Sequence, residues 1–120
     1  VISTSSVWLS GLWPGITEWT STQSTDGVIK AEVANKVIML SEVTLAETGG
    51  SNSITVAVKK KNGSGDVIFQ ITLAGGAAIH IRFAKWREGD PYDGSDAGDL
   101  YLDITGSGTL SAFWIGVIYP

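Results

Sequence analysis

The side chains with the most chemistry to offer stand close together. Glu88, Asp90, Asp93, Asp96, Asp99 and Asp103 fall within sixteen residues. Carboxylates on a loop can wrap Ca²⁺, a hard cation that takes several oxygens. Asp90, Asp93, Asp96 and Asp99 are the calcium candidates. Their three-residue spacing does not match the EF-hand loop, whose acids alternate around a central glycine. Gly89 and Pro91 stand where the acids before Asp93-Gly94 would be. Asp and Gly also build ordinary loops, because the carboxylate accepts hydrogen bonds from nearby backbone. The expected state is therefore a solvated loop, with no metal and no cofactor. Two carboxylates can also hydrolyse a glycosidic bond, but no segment of this chain looks built to line a cleft.

Catalysis by other routes finds little support. His80 is the single histidine, mid-strand between Ile79 and Ile81. Its alternation with those residues points it outward beside Arg82. Serines are plentiful, but no G-x-S-x-G elbow accompanies them. HExxH, P-loop and GxGxxG patterns are absent. Cysteine is absent too, which removes thiolate nucleophiles, thiolate metal sites and disulfides. The chain is not expected to be an enzyme.

Binding is a better fit. "WLSGLWPGITEW" puts Trp8, Trp13 and Trp19 into a segment broken by two glycines and a proline. Tryptophan buries a large area with few rotors and is enriched at interface hot spots. Trp8 and Trp13 have Val7, Leu9 and Leu12 as neighbours, which favours burial in this chain or against another. Trp86 and Tyr92 are different. Charged neighbours surround them, as a glycan-stacking ring would require. The run Lys59-Lys60-Lys61 is either a solvated strand end or a contact for an acidic partner.

Composition restricts the partners further. The net charge is −4, with only eight Lys plus Arg, so nucleic acid is not an expected partner. No apolar run is long enough for a membrane helix, and no membrane partner is expected. The N-terminus shows no signal-peptide pattern, and a first residue of Val fits removal of an initiator Met. Charged residues make up 17% of the chain, below the usual quarter or so. Glycine, Ser, Thr and β-branched residues are abundant.

These features predict an all-β fold. Strand signals cover 28–33, 36–45, 54–61, 66–73, 78–86, 99–105 and 109–119, with Gly-rich turns between them. Residues 28–36 also have the composition for one helical turn. The arrangement expected is one antiparallel β-sandwich or barrel, jelly-roll or immunoglobulin-like, over residues 28–120. Residues 1–27 read as an N-terminal arm or an irregular first layer.

The last strand breaks the usual pattern of one wet and one dry face. One parity holds Leu110, Ala112, Trp114, Gly116 and Ile118; the other holds Phe113, Ile115, Val117 and Tyr119. A strand apolar on both faces needs cover on both. Either the tryptophan segment or a neighbouring subunit is expected to supply it.

The order of features from about residue 40 carries a resemblance. "VTLAETGGSNSITVAVKKKNGSGDVIFQITLAGG" is followed by "GDLYLDITGSGTLSAFWIGVIYP". Hairpin, glycine-bounded strand, acidic entry and final aromatic strand resemble the small β-sandwich accessory proteins of tailed bacteriophage virions. Capsid decoration (cement) proteins are among them. The resemblance covers roughly the last two-thirds of the chain and has no catalytic residues to transfer. It implies many copies on a capsid surface, bound to other virion subunits and to each other, with an N-terminal arm reaching a neighbour. Twenty extended residues span on the order of 60 Å. The expected contacts are Val7, Trp8, Leu9, Leu12, Trp13 and Trp19 with Phe113, Ile115, Val117 and Tyr119. Two alternatives stand beside this reading: a carbohydrate-binding module or adhesin, and a pilus-like filament subunit that donates a strand to its neighbour.

Overall fold

A computed structural model of the protein describes residues 16–120. Eight strands lie among them: β1 (Thr17–Ser21), β2 (Gly27–Lys30), β3 (Val37–Glu47), β4 (Ile54–Lys60), β5 (Val67–Leu73), β6 (Ala78–Pro91), β7 (Leu100–Gly106) and β8 (Leu110–Tyr119). They form two four-stranded antiparallel sheets, β1-β8-β3-β6 and β2-β7-β4-β5. First pairs with last, second with seventh, third with sixth and fourth with fifth. This nested pairing is a hairpin folded over on itself into two layers, the jelly-roll form of the β-sandwich.

Alternation puts one face of each strand into the gap between the sheets. Leu40, Val43, Leu45, Val56, Val58, Leu100, Leu102 and Trp114 are fully buried there. β3 reaches this core with two different parities. Ile38 and Leu40 face inward, and so do Val43, Leu45 and Glu47. The switch needs one extra residue, and the pairing register shifts between Leu40 and Glu42. A bulge at that place turns every later side chain to the other face.

β1 and β2 carry the sandwich back to Thr17, ahead of the expected start at Val28. The chain between them seals one side of the core. Trp114 Nε1 donates to the Gln23 carbonyl at 2.7 Å, and the Ala112 N–H donates to Ser24 Oγ at 3.0 Å. Asp26 Oδ1 accepts from the Ile104 N–H at 2.7 Å. The helical turn that the composition of 28–36 allows is not formed. Residues 27–30 are committed to pairing with β7, and the chain then turns at Asn35, whose φ is 62°.

One end of the sandwich is held by a single carboxylate. Glu47 ends β3 with only 2% of its surface exposed. Its oxygens accept from the N–H groups of Gly49 (2.8 Å), Gly50 (2.7 Å), Gly76 (2.9 Å) and Thr109 (2.8 Å). Those donors belong to three separate connections, β3–β4, β5–β6 and β7–β8. Backbone N–H groups solvate the charged form, led by those of Thr109 and Gly76, and lower the pKa from 4.5 to about 2.

Candidate interaction surface

β8 lies between β1 and β3, so both of its edges are satisfied by backbone pairing. Only its two faces remain to interact. Leu110, Ala112, Trp114 and Ile118 face the core. Phe113, Ile115, Val117 and Tyr119 face away from it, and the structure divides them into two pairs. Ile115 and Val117 are buried, whereas Phe113 and Tyr119 are exposed at 38% and 46%. Val117 sits between Glu18 and Met39, and Ile115 opposite Thr20. Ser41 Oγ, on the β3 bulge, donates to the Ile115 carbonyl at 3.0 Å.

Trp19 stands apart from the arm with which its sequence groups it. It lies in β1, is buried, and belongs to this chain's own core. Its Nε1 donates to the Val117 carbonyl at 3.2 Å. Alternation decides this placement: Trp19 is opposite Gly116, on the inward parity of β8. An outward contact with a neighbour is therefore not available to this ring. Val7, Trp8, Leu9, Leu12 and Trp13 lie outside the described residues.

Beyond Phe113 the outer face becomes polar. The register runs Phe113, Thr44, His80 across β8, β3 and β6. His80 Nε2 lies 2.6 Å from Glu42 Oε2, and Arg82 Nε lies 3.6 Å from Glu42 Oε1. Sequence reading placed His80 and Arg82 outward, but gave them no partner. Glu42 is distant in sequence, and only the β3–β6 register brings it near.

The lysine run is mostly engaged within the chain. Lys59 Nζ contacts Asp103 Oδ2 at 2.5 Å and the Gly63 carbonyl at 2.9 Å. Lys60 Nζ lies 3.1 Å from Asp90 Oδ1. Lys61 is exposed, has a φ of 73°, and donates its N–H to the Asp99 carbonyl. A contact of this run with an acidic partner would have to compete with two ion pairs.

Backbone N–H groups organise the acidic loop. Asp93 accepts from the N–H groups of Ser95 (2.8 Å) and Ala97 (3.2 Å). Those bonds, the Ser95 N–H foremost, hold its carboxyl below the ordinary range. Asp99 is buried and accepts from the Glu32 N–H at 2.7 Å. Burial is the main cause that pushes its carboxyl upward, with Asp96 and Glu32 adding repulsion. Glu32 in turn accepts from Gly94 (3.1 Å) and Gly98 (2.9 Å). Asp90 is turned to Lys60, so Asp90, Asp93, Asp96 and Asp99 do not converge. Among the described residues, no group of three or more His, Cys, Asp or Glu is placed to hold a metal ion. Tyr92 is exposed at the start of this loop, and Trp86 is half-buried in β6.

No family model and no curated protein matches the sequence. Two solved structures are similar in outline. One is from work on Bacillus endospore appendages, described as disulfide-linked pili. It shares 17% identity over 87% of this chain and 81% of that one, at a TM-score of 0.44. The other is the Tobacco streak virus coat protein dimer, with 9% identity over 86% and 85% of the two chains, at a TM-score of 0.36. At TM-scores under 0.5 neither likeness speaks to function.

Proposed function

We propose that this chain is a structural subunit that works by adhesion, not catalysis, and that its assembly is a virion in which it decorates and stabilises the capsid. The supporting observation is the outer face of β8. Phe113 and Tyr119 are large, exposed and outward on a strand whose hydrogen bonds are already complete. Exposed aromatic side chains on a rigid sheet suit contact with another protein surface. Val7, Trp8, Leu9, Leu12 and Trp13 supply a second apolar set for the same purpose. The phage-decoration identity rests on the sequence resemblance of residues 40–120. His80 and Arg82 are bound to Glu42, which leaves them as ordinary surface side chains in this reading.

The test is Trp8→Ala with Trp13→Ala in the full chain. The double variant keeps a cooperative thermal melt and loses association with its neighbours in sedimentation. A variant that unfolds as a monomer makes both tryptophans core residues and sinks the proposal.

A further inference from the structure

The turn between β4 and β5 holds a reactive pair. The Lys60 N–H donates to the Asp66 carbonyl at 2.9 Å and closes the hairpin. Residues 61–65 loop beyond that bond, and Asn62, Gly63 and Ser64 are all exposed. The Asn62 carbonyl accepts from the Gly65 N–H, and the Gly63 carbonyl accepts from Lys59 Nζ, both at 2.9 Å. Asn62 Oδ1 accepts from the Ser64 N–H at 2.9 Å, which makes an Asx turn. The ring closed by that bond contains both the side-chain carbon Cγ of Asn62 and the nitrogen of Gly63. Among the described residues, nothing accepts from the Gly63 N–H.

The backbone here does not demand a glycine at position 63. Gly63 lies outside the left-handed region. A Cβ built on it would meet only Tyr101 Cε1, at an ordinary 3.6 Å. At Gly65 the same atom would run into the Lys60 carbonyl oxygen. Position 63 therefore has room for a side chain and lacks one, which leaves its nitrogen open to the side chain before it. The other two asparagines differ. Asn35 is followed by Lys36, whose N–H is committed to the Val33 carbonyl at 3.0 Å. Asn52 is followed by Ser53, whose side chain crowds its own nitrogen.

We propose that Asn62 is a self-modification site, at which the chain deamidates through a cyclic succinimide. The Gly63 nitrogen attacks Asn62 Cγ and gives up its proton to water or a buffer base. The Ser64 N–H, already on Oδ1, stabilises the charge that this oxygen gains as the nitrogen adds. The bond from Cγ to the side-chain nitrogen then breaks, and that nitrogen takes up a proton and leaves as ammonia. Water adds to either carbonyl of the ring and reopens it. One opening leaves aspartate at position 62; the other leaves isoaspartate, with the main chain rerouted through the side-chain carbon. Nothing is oxidised or reduced. Either product adds a negative charge beside Lys59 and Lys61. Isoaspartate also lengthens the backbone of the tip between the paired Lys60 and Asp66.

Storage of the folded full chain in mildly alkaline buffer, followed by peptide mapping, tests this. Asn62 is expected to convert about tenfold or more faster than Asn35 and Asn52, and to give both aspartate and isoaspartate. Gly63→Ala is expected to keep the wild-type thermal melt and to slow the loss of ammonia at Asn62 about tenfold. Asn62→Gln, a change at an exposed loop tip, is expected to abolish the acidic species that the wild type accumulates on ion exchange. An Asn62 that outlasts Asn35 and Asn52 in the folded chain, or that converts only in urea, overturns the inference. An unchanged rate in a folded Gly63→Ala chain also overturns it. So does aspartate as the sole product, because direct hydrolysis by water, and not ring closure, would then be the route.

Discussion

Trp19 packs against the backbone of Gly116, its register partner on β8. A Cβ at position 116 would overlap the six-membered ring of Trp19 and the Met39 carbonyl oxygen. The glycine is what lets an indole lie across a central strand and still donate to the Val117 carbonyl. Gly116→Ala is expected to cost about 1–3 kcal/mol by overpacking. Trp19→Ala leaves a cavity and is expected to cost about 3–5 kcal/mol. Thermal melts at low concentration check both. The double variant is expected to lose less than the two costs together, because the alanine methyl at 116 partly fills the space the ring leaves. A Trp19→Ala chain that melts like the wild type would return this ring to the arm.

Glu47 gives the domain an acid-sensitive clasp. Its folded carboxyl titrates at about 2, below the ordinary 4.5. A depressed carboxylate contributes stability above the unfolded value and loses it as pH falls through the folded one. Stability is therefore expected to fall between about pH 5 and pH 2, and Asp93 adds to the fall with the same sign. Glu47→Gln keeps the size but turns an amide N–H₂ toward backbone donors. It is expected to lower the melting temperature at pH 7 and to flatten the acid limb. Urea titrations of both proteins from pH 2 to pH 7 measure this.

Asp99 carries the opposite sign. Its carboxyl is pushed up, so its charged form opposes folding once the pH has risen through its folded value. Its carboxylate accepts a hydrogen bond from the Glu32 N–H, which an asparagine oxygen can reproduce. Asp99→Asn is expected to raise the melting temperature at pH 7 and to leave it unchanged near pH 3. A drop at pH 7 would mean that the charge itself is required in the loop.

Much of the fold was legible in the alternation of apolar residues. Ile54, Val56 and Val58, and likewise Leu100, Leu102 and Ile104, face the core as their spacing dictates. β1 was missed because "TEWTS" holds one large apolar residue among polar ones, and its pairing with β8 is separated by nearly the whole chain. Glu47 was hidden in a turn-like stretch, "AETGG". The available signal was parity: Glu47 follows Val43 and Leu45 on the inward face, where a charge demands compensation. The partners of His80 and Lys59 were unreadable for another reason. Both ion pairs depend on strand register, of β3 against the bulged β6 pairing for His80 and of β4 against β7 for Lys59, which alternation alone does not define.

Lys59 and Lys61 look alike in the sequence, and the structure predicts opposite responses to their loss. Lys59 bridges β4 to Asp103 on β7 and to the Gly63 carbonyl in the hairpin loop. Both ends of the pair are partly solvated, so its worth is modest. Lys59→Ala is expected to cost about 0.5–1 kcal/mol, with less cost in high salt. Lys61 instead holds the left-handed conformation at φ 73°, which a Cβ disfavours and a glycine adopts freely. Its backbone N–H bond to Asp99 survives any substitution except proline. Lys61→Gly is expected to stabilise the domain by up to about 1 kcal/mol. Chemical denaturation of the two variants at low and high salt separates the effects. A Lys61→Gly variant less stable than the wild type would place its side chain, and not its backbone, at the centre of that turn.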